Sequence, residues 1–271
     1  MKKIEDDFVE MILSAQGDSK DPYYGVRRIS ASAIGHECDA NVALSMRSFP
    51  ESHVSDQSAR RFTLGHRIEE IVGQDLKRGG LPFVDRDPRT GKQYLLEGFE
   101  RHLKAYADGY MMWEDSPPEP VEIKSMNAKR FNALTDNLMD TEPKYFDQMM
   151  TVMALSKTES GLFIAYNKDN SLYRVIRVRF DPSRWGYLAA KIERILDGEA
   201  RKISKDGSSW LCNMCGRKKA CQDGEAPPAK DLSCHHCAHA SPDVNGTWWC
   251  SKHEMFASSV CPSFELFRPL D

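Results

Sequence analysis

Three residues carry the most chemistry: Asp108 in HLKAYADGYMMW (102–113), and Glu122 and Lys124 in PVEIKSM (120–126). Both stretches have strand character, and the Pro-rich WEDSPPEP between them marks a hairpin turn. Residues two apart on a strand face the same way, so Glu122 and Lys124 share one face. An adjacent strand sets Asp108 beside Glu122. Two neighbouring carboxylates repel unless a cation sits between them. A hard divalent ion, Mg²⁺ or Mn²⁺, suits that place, with the Ile123 carbonyl as a further oxygen ligand. Lys124 beside the ion would orient a water and help deprotonate it. Such a set is equipped for metal-assisted phosphodiester hydrolysis. The bland alternative is an exposed hairpin carrying a Glu–Lys surface pair.

The cysteines are the second source of chemistry. Seven of the eight lie after residue 211, and the eighth is Cys38. Close CxxC pairs favour metal over disulfides in a reducing compartment. Cys212, Cys215 and Cys221 stand as C-x2-C-x5-C. Tetrahedral zinc and iron–sulfur clusters commonly use four protein ligands, so this triplet needs one more. Cys38 is the only cysteine upstream of it. The remaining four, Cys234, Cys237, Cys250 and Cys261, stand as C-x2-C-x12-C-x10-C. They read as a zinc-ribbon-like knuckle, because a segment this small scarcely folds without a metal. His235, His236, His239 and His253 are alternative ligands there, and a second iron–sulfur cluster is the less favoured occupant.

The elements that must position these groups alternate. Residues 1–16 and 29–47 read as helices, the second carrying Cys38 near its start. Residues 55–80 read as a long helix with Phe62, Ile68 and Leu76 on its apolar face and Gly79-Gly80 as its stop. The strands described above follow. Helical patterns at 127–138 and 143–156 come next, the latter with Pro143 in its first turn. GLFIAYN and LYRVIRVRF form a hairpin around KDN, and 181–200 is a helix capped by Asp181. The order implies an α/β fold with a mixed central sheet flanked by helices, plus a small C-terminal metal-binding module. The domain boundaries expected are 1–222 and 231–271, joined by the Pro-containing DGEAPPAK.

The 271 residues carry a net charge of −3, so bulk charge neither announces nor excludes nucleic acid; local clusters such as Arg60-Arg61, Lys129-Arg130 and Arg217-Lys218-Lys219 matter more. No apolar run approaches the roughly 20 residues of a membrane span. The N-terminus carries acidic residues through its apolar stretch and does not look like a signal peptide. The expected location is the cytoplasm of a bacterium, or of a phage-infected host.

The D…E-x-K arrangement resembles the PD-(D/E)XK nuclease superfamily, whose fold is the restriction-endonuclease-like mixed sheet, and its RecB-like branch in particular. In that branch a preceding helix supplies another metal ligand from a G-x-x-x-H or G-x-x-x-E pattern. Here the helix reads LGHRIEE, so Glu69 and His66 are the alternatives. The branch also carries Q-x-x-x-Y on the helix after the E-x-K strand. Gln148 matches it, but Val152 stands at the tyrosine position, and Tyr145 is the nearby aromatic on the same helical face. One cysteine before the core and C-x2-C-x5-C after it resembles the iron–sulfur subset, which includes the CRISPR-associated exonucleases and the nuclease domain of AddB. The resemblance implies that Cys38, Cys212, Cys215 and Cys221 hold a 4Fe–4S cluster that braces the two ends of the domain. Zinc at the same four thiolates is the competing reading.

The resulting expectation is a metal-dependent DNA nuclease, with exonuclease action favoured. It would take DNA with a single-stranded or free end and work alongside recombination, repair or phage replication proteins. The alternative is a single-stranded nucleic-acid-binding or adaptor protein built on an inactive nuclease scaffold, gripping strands through Trp248 and Trp249.

Overall fold

The computed structural model describes residues 27–51 and 56–271. The helix expected over 1–16 lies outside them. The expected helix at 29–47 is broken. Ile29–Ser30 is a short strand (β1), Ala31–Ile34 a single turn (α1), and Asp39–Met46 a second helix (α2) that starts after Cys38. Gly35 falls at the break, where its missing side chain lets the turn lie against Lys144 and Asp147; a Cβ there would sit 3.0 Å from the Lys144 Cα. Asp56–Arg78 forms the long helix α3.

The strands sort into three sheets. Phe83–Val84 (β2), Gly109–Met111 (β5), Glu119–Met126 (β6), Ser160–Asn167 (β7) and Tyr173–Arg179 (β8) make the central sheet, in the order β2-β5-β6-β7-β8. Only β6 and β7 run parallel, so the sheet is mixed. Tyr94–Gly98 (β3) and Leu103–Ala107 (β4) join β1 in a second sheet, in the order β1-β4-β3. The segment expected as one strand over 102–113 therefore bends at Asp108 and passes from one sheet to the other. Gly109 permits the bend, since a Cβ there would lie 2.3 Å from the Phe83 ring.

Helices cover both faces of the central sheet. Ile68 and Val72 of α3 pack with Val121, Ile123, Leu162 and Ile164. On the other side, Pro143–Ser156 (named α6 below) and Pro182–Leu196 (α7) bury Met149, Met153, Leu188 and Ile192 with Phe163, Ile176 and Val178. Pro143 occupies the first turn of α6, and Asp181 caps α7 by accepting from the Ser183 and Arg184 backbone N–H groups. The helix expected over 127–138 is two short pieces, Ala128–Ala133 (α4) and Leu138–Thr141 (α5), separated by an extended Leu134.

After α7 the chain forms a turn at Trp210–Asn213 (α8) and then a small antiparallel sheet of Ala240–Pro242 (β9), Trp248–Cys250 (β10) and Met255–Phe256 (β11). This C-terminal segment shares the main core. Trp248 and Phe267 are buried in the same cluster as Ile29, Leu44 and Leu103. Arg47, at the end of α2, fastens it: its Nη1 donates to the carbonyls of His235 and Cys237, both at 3.0 Å, and its Nη2 to that of Ala240 at 2.9 Å. The guanidinium also lies 3.8 Å from the Phe267 ring centre and 5.0 Å from that of Trp248. Among the described residues no helix is long and apolar enough to cross a membrane.

Candidate active site

The acidic centre forms where the chain leaves the central sheet. The antiparallel register pairs Gly109 with Val121. One step further along the same ladder puts Asp108 opposite Glu122, the side-by-side placement the sequence predicts. Asp108 Oδ2 accepts a hydrogen bond from the Ile123 backbone N–H at 2.8 Å, which ties its carboxylate to the E-I-K strand. Glu122 is only 2 % exposed. Its Oε1 is engaged by the Lys124 ammonium and by Gln148 Nε2, the latter at 2.7 Å. Glu122 is thus buried with a half-buried Lys124 against it, and the exposed surface-pair alternative does not describe them.

The electrostatics follow from burial and like charge. Burial pushes the Glu122 carboxyl up to about 7; Asp108 and Glu69 add to the rise and Lys124 opposes it. Asp108 is raised by burial, with Lys124 and the Ile123 N–H pulling the other way. Burial disfavours the Lys124 ammonium, but the negative charges of Glu122, Asp108 and Glu69 outweigh it and keep the lysine protonated. One cation thus serves three acids, leaving an excess of negative charge that a divalent ion would neutralise.

The two helix-borne candidates sit differently. Glu69 on α3 is raised by burial and then by Asp108, so it belongs to the same electrostatic cluster. His66 reaches Glu69 at 3.2 Å through Nδ1 while its side chain stays 77 % exposed. Tyr145 also belongs to the site. Its ring stacks on Phe163, and the Lys124 ammonium and Arg130 guanidinium lie 5.7 and 5.6 Å from its centre. Val152, at the departed tyrosine position, is buried in the core.

Two contributors escape sequence reading. Gln93 Nε2 approaches Asp108 Oδ1 at 3.4 Å from the neighbouring sheet, and Arg130 is held over Tyr145 by two hydrogen bonds to Glu142. Arg130 lies in a basic pair visible in the sequence; nothing local marks Gln93.

The cysteines gather as two groups. Cys38, Cys212, Cys215 and Cys221 line one cavity together with His36, Asn41 and Leu211. Burial, then Cys38 and other cysteines, push the Cys221 thiol up to about 11. Asn41 Nδ2 lies 3.1 Å from Cys215 Sγ. Burial raises the Cys234 thiol, and Cys237, Cys250 and Cys261 add to the rise. Of the histidines considered as alternatives, His253 Nε2 lies 3.2 Å from Cys261 Sγ. His235 packs edge-on against Trp248 and is pushed down to about 3 by burial, His236 accepts from the Ser233 N–H through Nδ1, and His239 faces Glu265. Among the described residues, no three His, Cys, Asp or Glu side chains stand in the arrangement of a ready-made single-ion site. Thiols are the donor type that soft metals take, each giving up its proton to bind.

No protein-family model and no curated protein matches the sequence. Solved structures do show likeness. An alkaline exonuclease, LHK-Exo from Laribacter hongkongensis, gives a TM-score of 0.46 at 16% identity, covering 69% of this chain and 91% of that one. Its complex with dAMP gives the same score and identity over 64% and 87%. The protein SSO0001 gives 0.46 at 13% over 81% and 96%, and a phage-related exonuclease from Haemophilus somnus 129PT gives 0.41 at 11% over 62% and 91%. At these values the likeness concerns the fold alone.

Proposed function

We propose that this chain is a metal-dependent deoxyribonuclease that hydrolyses phosphodiester bonds, acting as an exonuclease on DNA with a single-stranded or free end. The observation that supports the reading is the meeting of Asp108 with the E-I-K strand: its Oδ2 accepts from the Ile123 backbone N–H at 2.8 Å, beside a buried Glu122 engaged by Lys124 and Gln148. A scaffold has no physical reason to bury Glu122 beside a second carboxylate and a single lysine. Asp108 and Glu122 would hold Mg²⁺ or Mn²⁺, with His66 or Glu69 as the helix-borne ligand. When bound, such an ion neutralises the phosphate and lowers the pKa of a bound water.

The chain's own groups do the rest. Gln148 donates to Glu122 and fixes its carboxylate. Lys124, held as an ammonium, faces the place where phosphate charge develops and stabilises it. Tyr145 and Arg130 offer an aromatic face and a guanidinium to the strand. Cys38, Cys212, Cys215 and Cys221 would hold a 4Fe–4S cluster, and Cys234, Cys237, Cys250 and Cys261 zinc, both in a bracing role. A link between residue 38 and residues 212–221 closes a very long loop, where a crosslink restricts the unfolded chain most in theory. That reading would put the chain among the iron–sulfur RecB-like nucleases, in recombination, repair or phage replication.

The test is degradation of end-labelled DNA with Mg²⁺ or Mn²⁺, compared with Asp108→Ala and Lys124→Ala. Mononucleotide products that vanish in both variants support the reading. DNA binding without any cleavage by the unmodified chain would replace it with the adaptor alternative.

A further inference from the structure

The sheet of β1, β4 and β3 has one covered face and one open face. Tyr94, Leu96, Ala105 and Ala107 turn inward and pack with Val152 and Leu155 of α6. The alternating residues turn outward: Leu95 and Glu97 on β3, Lys104 and Tyr106 on β4. The antiparallel register sets Leu95 opposite Tyr106 and Glu97 opposite Lys104. The next outward pair on this ladder is Gln93 with Asp108, joined at 3.4 Å. The open face therefore runs into the carboxylate that also ties to the E-I-K strand.

Tyr106 is 43 % exposed and Leu95 46 %. Exposed apolar groups are ordinary by themselves. Phe62 on α3, which sequence pattern assigns to the apolar face, is 63 % exposed with no cation at its ring among the described residues. Tyr106 differs, because the Lys104 ammonium lies 5.7 Å from its ring centre. Lys104 has no carboxylate partner among the described residues, and partial burial, then the nearby Arg28, pull its pKa below the usual lysine value. Arg28 and Arg101 both bond to one carboxylate, that of Glu97. Three cations thus meet a single acid here. Excess positive charge beside an aromatic ring, on a face continuous with Asp108, is complementary to a polyanion that carries flat bases.

We propose that the open face of β3 and β4 is the track for single-stranded DNA next to the acidic centre, with Tyr106 stacking on a base and Lys104 holding a phosphate. A strand rises about 3.4 Å per residue, so Tyr106 stands about 7 Å and Lys104 about 13 Å from Asp108. Tyr106 meets the nucleotide beside the reacting phosphate, and Lys104 the one beyond it. Both are positioning residues that favour unpaired strands. The proposal rests on the nuclease reading. Stacking on an aromatic is sequence-tolerant, so no base preference accompanies it.

The test titrates the full chain in EDTA with a dye-labelled single-stranded oligonucleotide at several salt concentrations. Lys104→Met should reduce the slope of log affinity against log salt by about 0.7, the loss of one single-strand phosphate contact, and Lys104→Arg should keep the original slope. Tyr106→Ala should weaken binding about tenfold with the slope unchanged, while Tyr106→Trp keeps the affinity. With Mn²⁺, Tyr106→Ala should raise KM for single strands more than it lowers kcat. An unaltered slope in Lys104→Met, or full affinity in Tyr106→Ala, would overturn the proposal; the nuclease reading stands if the unmodified chain still cuts DNA. An unmodified chain that neither binds nor cuts DNA would overturn both.

Discussion

Replacing Arg47 with methionine should unfasten the C-terminal segment. The substitution keeps an unbranched stem of similar length and removes the guanidinium. That group is 3 % exposed and donates to three carbonyls, of His235, Cys237 and Ala240. A net hydrogen bond is worth about 1 kcal/mol, and one from a charged donor about 1.5–3 kcal/mol. Against this, burial pulls the Arg47 pKa down to about 10, so the charge is held at some cost, and its Nε has no hydrogen-bond partner among the described residues. The low end of the range therefore applies to each bond. Three carbonyls left without their donor give a destabilisation of about 3–5 kcal/mol, also the usual cost of stranding a partner of a buried charge. That is a large fraction of the 5–15 kcal/mol that typically holds a domain. Urea denaturation followed by tryptophan fluorescence measures it directly, since Trp248 lies beneath the guanidinium. Arg47→Lys should recover little, because an ammonium cannot fork to carbonyls on two sides. A change below about 0.5 kcal/mol in Arg47→Met, the ordinary range for surface substitutions, would refute the reasoning.

Other outcomes follow from the same geometry. Lys124→Ala should lower the cleavage rate by roughly a hundredfold or more while Mn²⁺ affinity, measured by calorimetry, holds or improves, because a competing cation is gone. Gln148→Ala should lower the rate more mildly, since Glu122 keeps Lys124 as a partner; a loss equal to that of Lys124→Ala would make Gln148 more than a positioning group. His102 is buried with its Nε2 donating to the Asp243 carbonyl at 2.6 Å, and burial lowers its pKa. The unfolded histidine takes up its proton near pH 6.5 while the folded one resists, so stability should be full above that pH and fall as the pH drops below it. Denaturation midpoints across this window check it, and His102→Gln should flatten the trend. Cys38→Ala and Cys221→Ala should each remove visible absorption and iron from anaerobically purified protein while leaving zinc content unchanged.

The parts of this molecule that sequence reveals are those set by short-range periodicity. The period of two puts Glu122 and Lys124 on one face, Pro143 marks the first turn of α6, and Asp181 caps α7. What local pattern misses is decided by long-range packing. HLKAYADGYMMW reads as one strand, because nothing in its alternation shows that Asp108 is where the chain changes sheets. The 29–47 segment reads as one helix, because the need for a bend at Gly35 comes from Lys144, more than a hundred residues away. Nothing local marks Arg47, since its aromatic and carbonyl partners lie near the C-terminus. Phe62 reads as core because helical spacing gives its direction and not what lies beneath.

The central claim is that the acids around Glu122 hold an ion that cuts DNA. Counting bound Mn²⁺ on the same samples in which end-labelled single-stranded DNA is being degraded tests it most directly. The account predicts that cleavage rises in step with occupancy of a site that Glu122→Gln abolishes. A protein that fills that site and binds DNA yet leaves every label intact, or one that cuts equally well after Glu122→Gln, would contradict it.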